Sequence, residues 1–255
     1  MPIALLTDFG TRDYFVASMK GVILSIDPAA VIVDITHDIP PQSISEAAFT
    51  LRACYRDFPA GTIFVAVVDP GVGSARRAIL AEAGGYYFIA PDNGLLSFIL
   101  DSEADTRVFQ ISNAEFSASD ISSTFHGRDI FAPAAAHLSR GAAPAQYGPL
   151  ISDLQRLPGT RPERISANEI EGRIIHIDRF GNLVTNLSRN DLPSNFTLEI
   201  GGRIIEAHRQ FYSKAEPGEV FSIWGSAGFL EISIRNGSAK DVLGAQTGQK
   251  IVIRR

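Results

Sequence analysis

The chain has 255 residues, 45 % of them hydrophobic and 20 % charged, with 22 Gly and 14 Pro spread along it. That composition excludes a disordered, collagen-like or coiled-coil protein and leaves room for one large domain, or for an ordinary domain joined to a smaller one. The net charge of -5 offers no excess of positive charge to a phosphate backbone or anionic lipid, so nucleic acid is not an expected partner. Cys54 is the single cysteine, which precludes an intrachain disulfide and a thiolate zinc cage and fits a reducing compartment. Apolar runs such as 63–68 are far shorter than the roughly 18 residues a bilayer-spanning helix requires, and no basic stretch precedes an apolar region at the N-terminus. A cytoplasmic protein with no membrane partner is expected.

Residues 3–7 read as a strand and 14–26 as a helix whose Phe15, Met19, Val22, Ile23 and Ile26 recur at three and four along one face. A strand at 31–35, an amphipathic helix at 43–57 and a strand at 63–68 follow, the last apolar throughout and therefore buried on both sides. Further strands read at 78–83 and 86–90, and a helix at 131–140 ends at Gly141. The alternation predicts an α/β domain with a mainly parallel sheet over 1–150. Pro144, Pro149, Pro158 and Pro162 break any long periodic element, and 151–168 reads as a linker. From 169 to 255 the pattern changes to strands at 173–178, 196–200, 203–207, 220–224, 230–234 and 250–254, with Gly201-Gly202 as a hairpin turn. A smaller all-β, barrel-like domain is expected there.

Parallel α/β sheets bind ligands beyond the carboxyl ends of their strands. Asp8 and Asp69 end the first and third strands, and Asp92 follows a later one, so three carboxylates could face one crevice. A carboxylate before Gly or Pro also closes turns and caps helices. The Gly-rich turn after Asp69 leads to Arg76 and Arg77, either of which could set a guanidinium beside the carboxylate; the lysine of a phosphate-binding loop is missing. His126, in Phe125-His126-Gly127-Arg128-Asp129, is the best general-base candidate, while His37 and His137 read as structural. In the β domain, 178–186 combine a carboxylate, an aromatic face and amides suited to a purine with a polar tail, and 224–231 form a small-residue turn. Asp8, Asp69, Asp92 and His126 are possible metal donors, but without a compact ligand spacing; no metal site is expected.

Five stretches in order, Thr7-Asp8-Phe9-Gly10, Asp69-Pro70-Gly71-Val72-Gly73, Ala90-Pro91-Asp92-Asn93-Gly94-Leu95, Phe125-His126-Gly127-Arg128-Asp129 and Phe180-Gly181-Asn182, resemble the S-adenosyl-L-methionine hydrolases, or hydroxide adenosyltransferases, which are related to fluorinases and chlorinases. The resemblance covers nearly the whole chain. It implies a homotrimer with active sites between subunits, and a catalytic set of Asp69, Arg76 and His126, with Arg77 as the rival of Arg76. It further implies that Asp8 holds the ribose hydroxyls, that Asn182, Glu231 and the backbone near Ile234 meet adenine, that Phe180 belongs to the same substrate site, and that Asp178 and Ser226 meet the methionine amino acid group. Gly127 stands where halogenating relatives carry a hydroxyl residue, and Asp69 where they carry an aromatic or small one; a carboxylate there would repel a halide. Only Gly84-Gly85 separates two strands where the fluorinase branch has a long insertion.

The reaction this implies is attack of water or hydroxide on the ribose 5′ carbon of S-adenosyl-L-methionine, giving adenosine and L-methionine without a cofactor. Arg76 would stabilise developing hydroxide, Asp69 would orient the water and the guanidinium, and His126 could accept the proton. Two other readings stay open at this point: a metal-dependent hydrolase using Asp8, Asp69 and His126, and a non-catalytic nucleoside-binding protein.

Overall fold

The computed structural model describes residues 1–254, in two compact units that divide between Leu157 and Pro158. The first unit runs β1 (Ile3–Thr7), α1 (Phe15–Ile26), β2 (Ile32–Thr36), α2 (Ile44–Cys54), β3 (Ile63–Val67), β4 (Ala78–Ala83), β5 (Tyr86–Pro91), α3 (Ser97–Ser102), β6 (Arg107–Gln110) and α4 (Ala132–Ser139). Its sheet has the order β2-β1-β3-β5-β4-β6. The first four strands are parallel neighbours, while β4 and β6 pair antiparallel. The reversal at β4 follows from its link to β5: Gly84 and Gly85, both at positive φ, allow a tight turn and no crossover helix.

The strand alternation divides the side chains between two cores. Ile3, Leu5, Ile63 and Val65 pack with Met19 and Ile23 of α1 and Ala135 and Leu138 of α4. Ala4, Leu6, Phe64 and Ala66 pack on the other face with Leu51 of α2 and Ile99 of α3. Each fully buried aliphatic or aromatic side chain contributes about 1.5–3 kcal/mol, so the two-sided burial of β1 and β3 fixes the middle of the sheet. Thr7 lies opposite Val67 in the parallel register, so Asp8 and the segment leading to Asp69 leave the sheet at the same edge. Helix α1 stops at Asp27 because Pro28 disfavours helical backbone in the residue before it.

Residues 151–157, part of the expected linker, are bound to the first unit. Ile151 N–H donates to Val108, Gln155 N–H to Asp92 Oδ1 and Leu157 N–H to the Ser97 hydroxyl, with Ile151 and Leu154 against the second core. Asp92 is 5 % exposed and its Oδ2 takes Arg77 Nε at 2.9 Å and Nη2 at 2.6 Å.

The second unit comprises β7 (Glu163–Arg164), β8 (Glu169–Ile177), β9 (Leu183–Ser188), β10 (Thr197–Ile200), β11 (Arg203–Ile205), β12 (Val220–Trp224), β13 (Phe229–Ile234), α5 (Ala239–Leu243) and β14 (Lys250–Arg254). All named pairings are antiparallel, in the order β11-β10-β14-β8-β9-β13-β12 with β7 on β8. The ends of that order approach each other where His208 bridges Ser222 of β12, giving a nearly closed, barrel-like sheet. Among the described residues no helix is long and apolar enough to cross a membrane.

Removal of the buried Asp92 carboxylate leaves the Gln155 N–H without its acceptor and Arg77 with Asp153 alone. Asp92→Ala is expected to lower stability by about 3 kcal/mol. Thermal unfolding reads this as a fall in Tm of roughly 6–12 °C.

Candidate active site

Three segments meet at the carboxyl edge of the first unit's sheet. Asp69 follows β3, and the turns closed by Val72 N–H on the Asp69 carbonyl and Ser74 N–H on the Gly71 carbonyl send the chain back on itself. Arg76 thereby faces Asp69: its Nε donates to Oδ1 at 2.9 Å and its Nη2 to Oδ2. The same Nη2 lies 2.6 Å from His126 Nδ1, and the guanidinium rests over the Phe131 ring, 5.3 Å from its centroid. Both members of the ion pair are buried, with 10 % of the arginine and 5 % of the aspartate side chain exposed.

Two local devices bring the loops together. Gly73 has φ 79°, and a Cβ there would collide with the Ser123 carbonyl, so only glycine lets the β3–β4 loop dock on the segment that carries His126. Beyond His126 the chain makes a wide π turn, Gly127–Phe131, before α4. Pro133 explains it: proline has no N–H for the Asp129 carbonyl and its ring crowds the space where that carbonyl would lie. The carbonyl turns out and accepts from Ala118 N–H at 2.7 Å instead.

Beside the cluster lies a cavity of about 140 Å³, whose apolar walls include Phe9, Phe15, Phe125 and Gly127, with Asp69 and His126 on the polar side. Phe125 meets Phe9 and Phe15 edge-on at 5.8 and 5.1 Å. A Cβ on Gly127 would come within 3.1 Å of the Phe125 ring and 3.2 Å of Met19 Sδ, so the glycine keeps room at this wall. Burial, then the Arg76 charge, depress the His126 pKa below its ordinary value, against the opposing pull of Asp69 and Asp129. A neutral imidazole, a carboxylate and a guanidinium thus border a small, mostly apolar space, suited to holding a polar nucleophile against an apolar partner.

Of the two arginines, Arg76 is the one beside Asp69; Arg77 turns to Asp92 and Asp153. Asp8 stands at the same sheet edge with Oδ2 accepting from Gln42 N–H at 2.8 Å. His37 is buried and lies 2.9 Å from the Thr7 hydroxyl, a structural contact.

In the second unit, Asp178, Phe180, Asn182, Ser226, Glu231 and Ile234 all line one pocket of about 530 Å³. Asp178 shapes its floor, accepting from the Phe180 and Asn182 N–H groups through Oδ1 and from Asn182 Nδ2 through Oδ2. Phe180 is 77 % exposed, an aromatic face free to stack. Tyr212 and Trp224 also line the pocket, Tyr212 donating to Glu231 Oε2 at 3.3 Å. Burial raises the Glu231 pKa, reinforced by the nearby Asp178 charge and opposed by Tyr212. Tyr212 lies in a stretch with no periodic pattern to mark it; Phe9 and Phe125 stood in the motifs without a role. Among the described residues, no three His, Cys, Asp or Glu side chains converge as a metal-binding group.

An α/β unit with an Asp–Arg–His cluster at its sheet edge, followed by a barrel-like unit with a polar and aromatic pocket, defines a two-part enzyme for a small molecule. Residues 3–148 match the S-adenosyl-L-methionine (SAM) hydroxide adenosyltransferase N-terminal domain and residues 172–252 the corresponding C-terminal domain. The chain belongs to that family. It is 38 % identical to the (R)-S-adenosyl-L-methionine hydrolase of Thermus thermophilus, covering 98 % of both chains, and 32 % identical to a fluorinase of Actinoplanes sp., covering 74 % of this chain and 72 % of that one. A solved structure of an uncharacterized conserved protein from Thermotoga maritima superposes with a TM-score of 0.88 at 35 % identity, over 99 % of this chain and 100 % of the other.

Because the folded protein holds His126 neutral below the ordinary imidazole pKa of about 6.5, the unfolded chain binds more protons as pH falls through that value, and stability is lost there. Thermal melts at about pH 7.5 and 5.5 are expected to show a larger fall in the wild type than in His126→Asn. Equal falls would remove His126 as the source.

Proposed function

We propose that the protein hydrolyses S-adenosyl-L-methionine to adenosine and L-methionine by in-line attack of water or hydroxide on the ribose 5′ carbon. The observation that carries this reading is the convergence of Asp69, Arg76 and His126 on one side of a small, mostly apolar cavity in a chain of this family. A sulfonium leaves as a neutral thioether without protonation, so what the reaction asks of the protein is a nucleophile held close and in line. Arg76 supplies the positive charge that a hydroxide requires, and Asp69 fixes the guanidinium plane. The Asp69 charge disfavours a halide in the same place, which favours hydrolysis over halogenation.

Asp8, with two acceptor oxygens, holds the ribose diol in this reading. The second unit's pocket supplies the rest: Phe180, Asn182, Glu231 and the backbone at Ile234 for adenine, Asp178 and Ser226 for the amino acid group. No metal or redox cofactor enters the reaction. The chain acts as a homotrimer with sites shared between subunits, and works in the cytoplasm, where its single cysteine stays reduced. Cys54 is itself unreactive, its thiol pushed up to about 11 by burial.

Chromatography of products is expected to show adenosine and methionine in equal amounts over many turnovers, at a rate unchanged by chelator, with Asp69→Ala slowing turnover by about a hundredfold or more. Loss of activity on chelation would point to a metallohydrolase, and one product per site to a binding protein.

A shared site also predicts complementation. Subunits carrying His126→Ala and subunits carrying Glu231→Ala, each inactive alone, are expected to regain part of the wild-type rate when mixed into hybrid trimers, as mass-resolved activity measurements would show.

A further inference from the structure

His126 was expected from sequence to be the proton acceptor, but its surroundings specify a different task. Arg76 Nη2 is a hydrogen-bond donor at every accessible pH because the guanidinium does not lose its charge. A 2.6 Å contact from that nitrogen therefore requires a lone pair at His126 Nδ1. A neutral imidazole whose Nδ1 carries the lone pair has its hydrogen on Nε2. With Nδ1 accepting from Arg76 and Nε2 protonated, neither nitrogen has a free lone pair.

The segment before His126 is fixed as well. Asp129 is 3 % exposed, and its Oδ2 accepts from Ser122 N–H at 2.9 Å. The Ser122 hydroxyl accepts from Phe125 N–H at 3.0 Å, closing the turn that leads into His126. Arg128 binds the same carboxylate through Nε at 2.6 Å and Nη2 at 3.1 Å. The π turn makes this possible, since it frees the Asp129 carbonyl for Ala118 while its side chain reaches back to Ser122. The charged groups that act on the ring are Arg76, Asp69 and Asp129; Arg76 opposes an imidazolium and the carboxylates favour one, so the hydrogen-bond pattern sets the form present.

We infer that His126 is a positioning residue, neutral and protonated on Nε2, which holds the Arg76 guanidinium against Asp69, and that Asp129 keeps it there by fixing the turn from Ser122 to His126; His126 does not take the proton of the attacking water. The tautomer part of this inference stands apart from the proposed reaction, and the kinetic part rests on it.

Nitrogen NMR of the full-length protein labelled in histidine tests the first part, His126 being assigned by the signals lost in His126→Asn. At pH 7 the wild type is expected to show a neutral ring with hydrogen on Nε2. Asp129→Asn, whose amide oxygen still accepts from Ser122 N–H, is expected to keep that tautomer, and Asp129→Ala to lose the preference. A wild-type ring protonated on Nδ1, or charged at pH 7, overturns the proposal, as does a changed tautomer in a folded Asp129→Asn; neither readout needs Asp129→Ala to fold. In kinetics, His126→Asn places an acceptor oxygen where Nδ1 stood and is expected to keep kcat within about tenfold of wild type, while His126→Ala loses about a hundredfold. Equal, large losses in both would restore the ring as the base. The expected tautomer without turnover of S-adenosyl-L-methionine would sink the proposed function and leave the His126 assignment standing.

Discussion

A buried guanidinium is the constraint around which the first unit is arranged. Taking an arginine out of water costs several kcal/mol unless its donors are met, and breaking such a pair strands a charge. Arg76 satisfies this with Asp69 on one side, His126 Nδ1 on another and the Phe131 face beneath. The tight turns after β3, the missing Cβ at Gly73 and the wide turn before α4 are each required for those partners to arrive together. The ion pair adds little net stability by itself. What it supplies is a fixed positive charge in a place from which bulk water is largely kept out, and that is useful only to a ligand that is negative or becomes so.

The unbroken apolar runs of β1 and β3 make the sheet readable from sequence, because two-sided burial leaves little room for other residue types there. The edge carboxylates follow from that reading, since a parallel strand's carboxyl end is where a polar residue escapes the core. The choice between Arg76 and Arg77 was not readable: consecutive residues in a glycine-rich loop point apart by geometry that only the folded turn sets, and Arg77 is spoken for by Asp92 and Asp153. Strand β9 escaped notice for a related reason. Thr185 and Asn186 look like loop or site residues, yet both are buried and commit their polar atoms to Leu230, Gly159 and Arg173 backbone groups. Helix α3 and strand β6 are too short to show a period. His126 was readable as a residue, and its hydrogen-bonding state was not, since that depends on a guanidinium brought to it by another loop.

The second unit solves a separate problem with separate means. Its pocket has no cluster like that of Arg76; its polar atoms are arranged as a chain from Asp178 through Asn182 and Tyr212 to Glu231. Such a wall of alternating donors and acceptors, rimmed by Phe180 and Trp224, reads the shape and edge pattern of a flat heterocycle better than it stabilises charge. The two polar sites are therefore built from different residues in different folding units, each with its own core.

Pro133 has an effect larger than its size. One residue of an α-helix corresponds to about 100° of rotation around the axis. By accommodating an additional residue in a single loose coil, the proline resets the angular heading of everything that precedes it while α4 keeps its seat on the sheet. The heading of the imidazole, and with it the seat of the Arg76 guanidinium, is thus set by a one-residue change of phase that leaves the interior packing of α4 untouched.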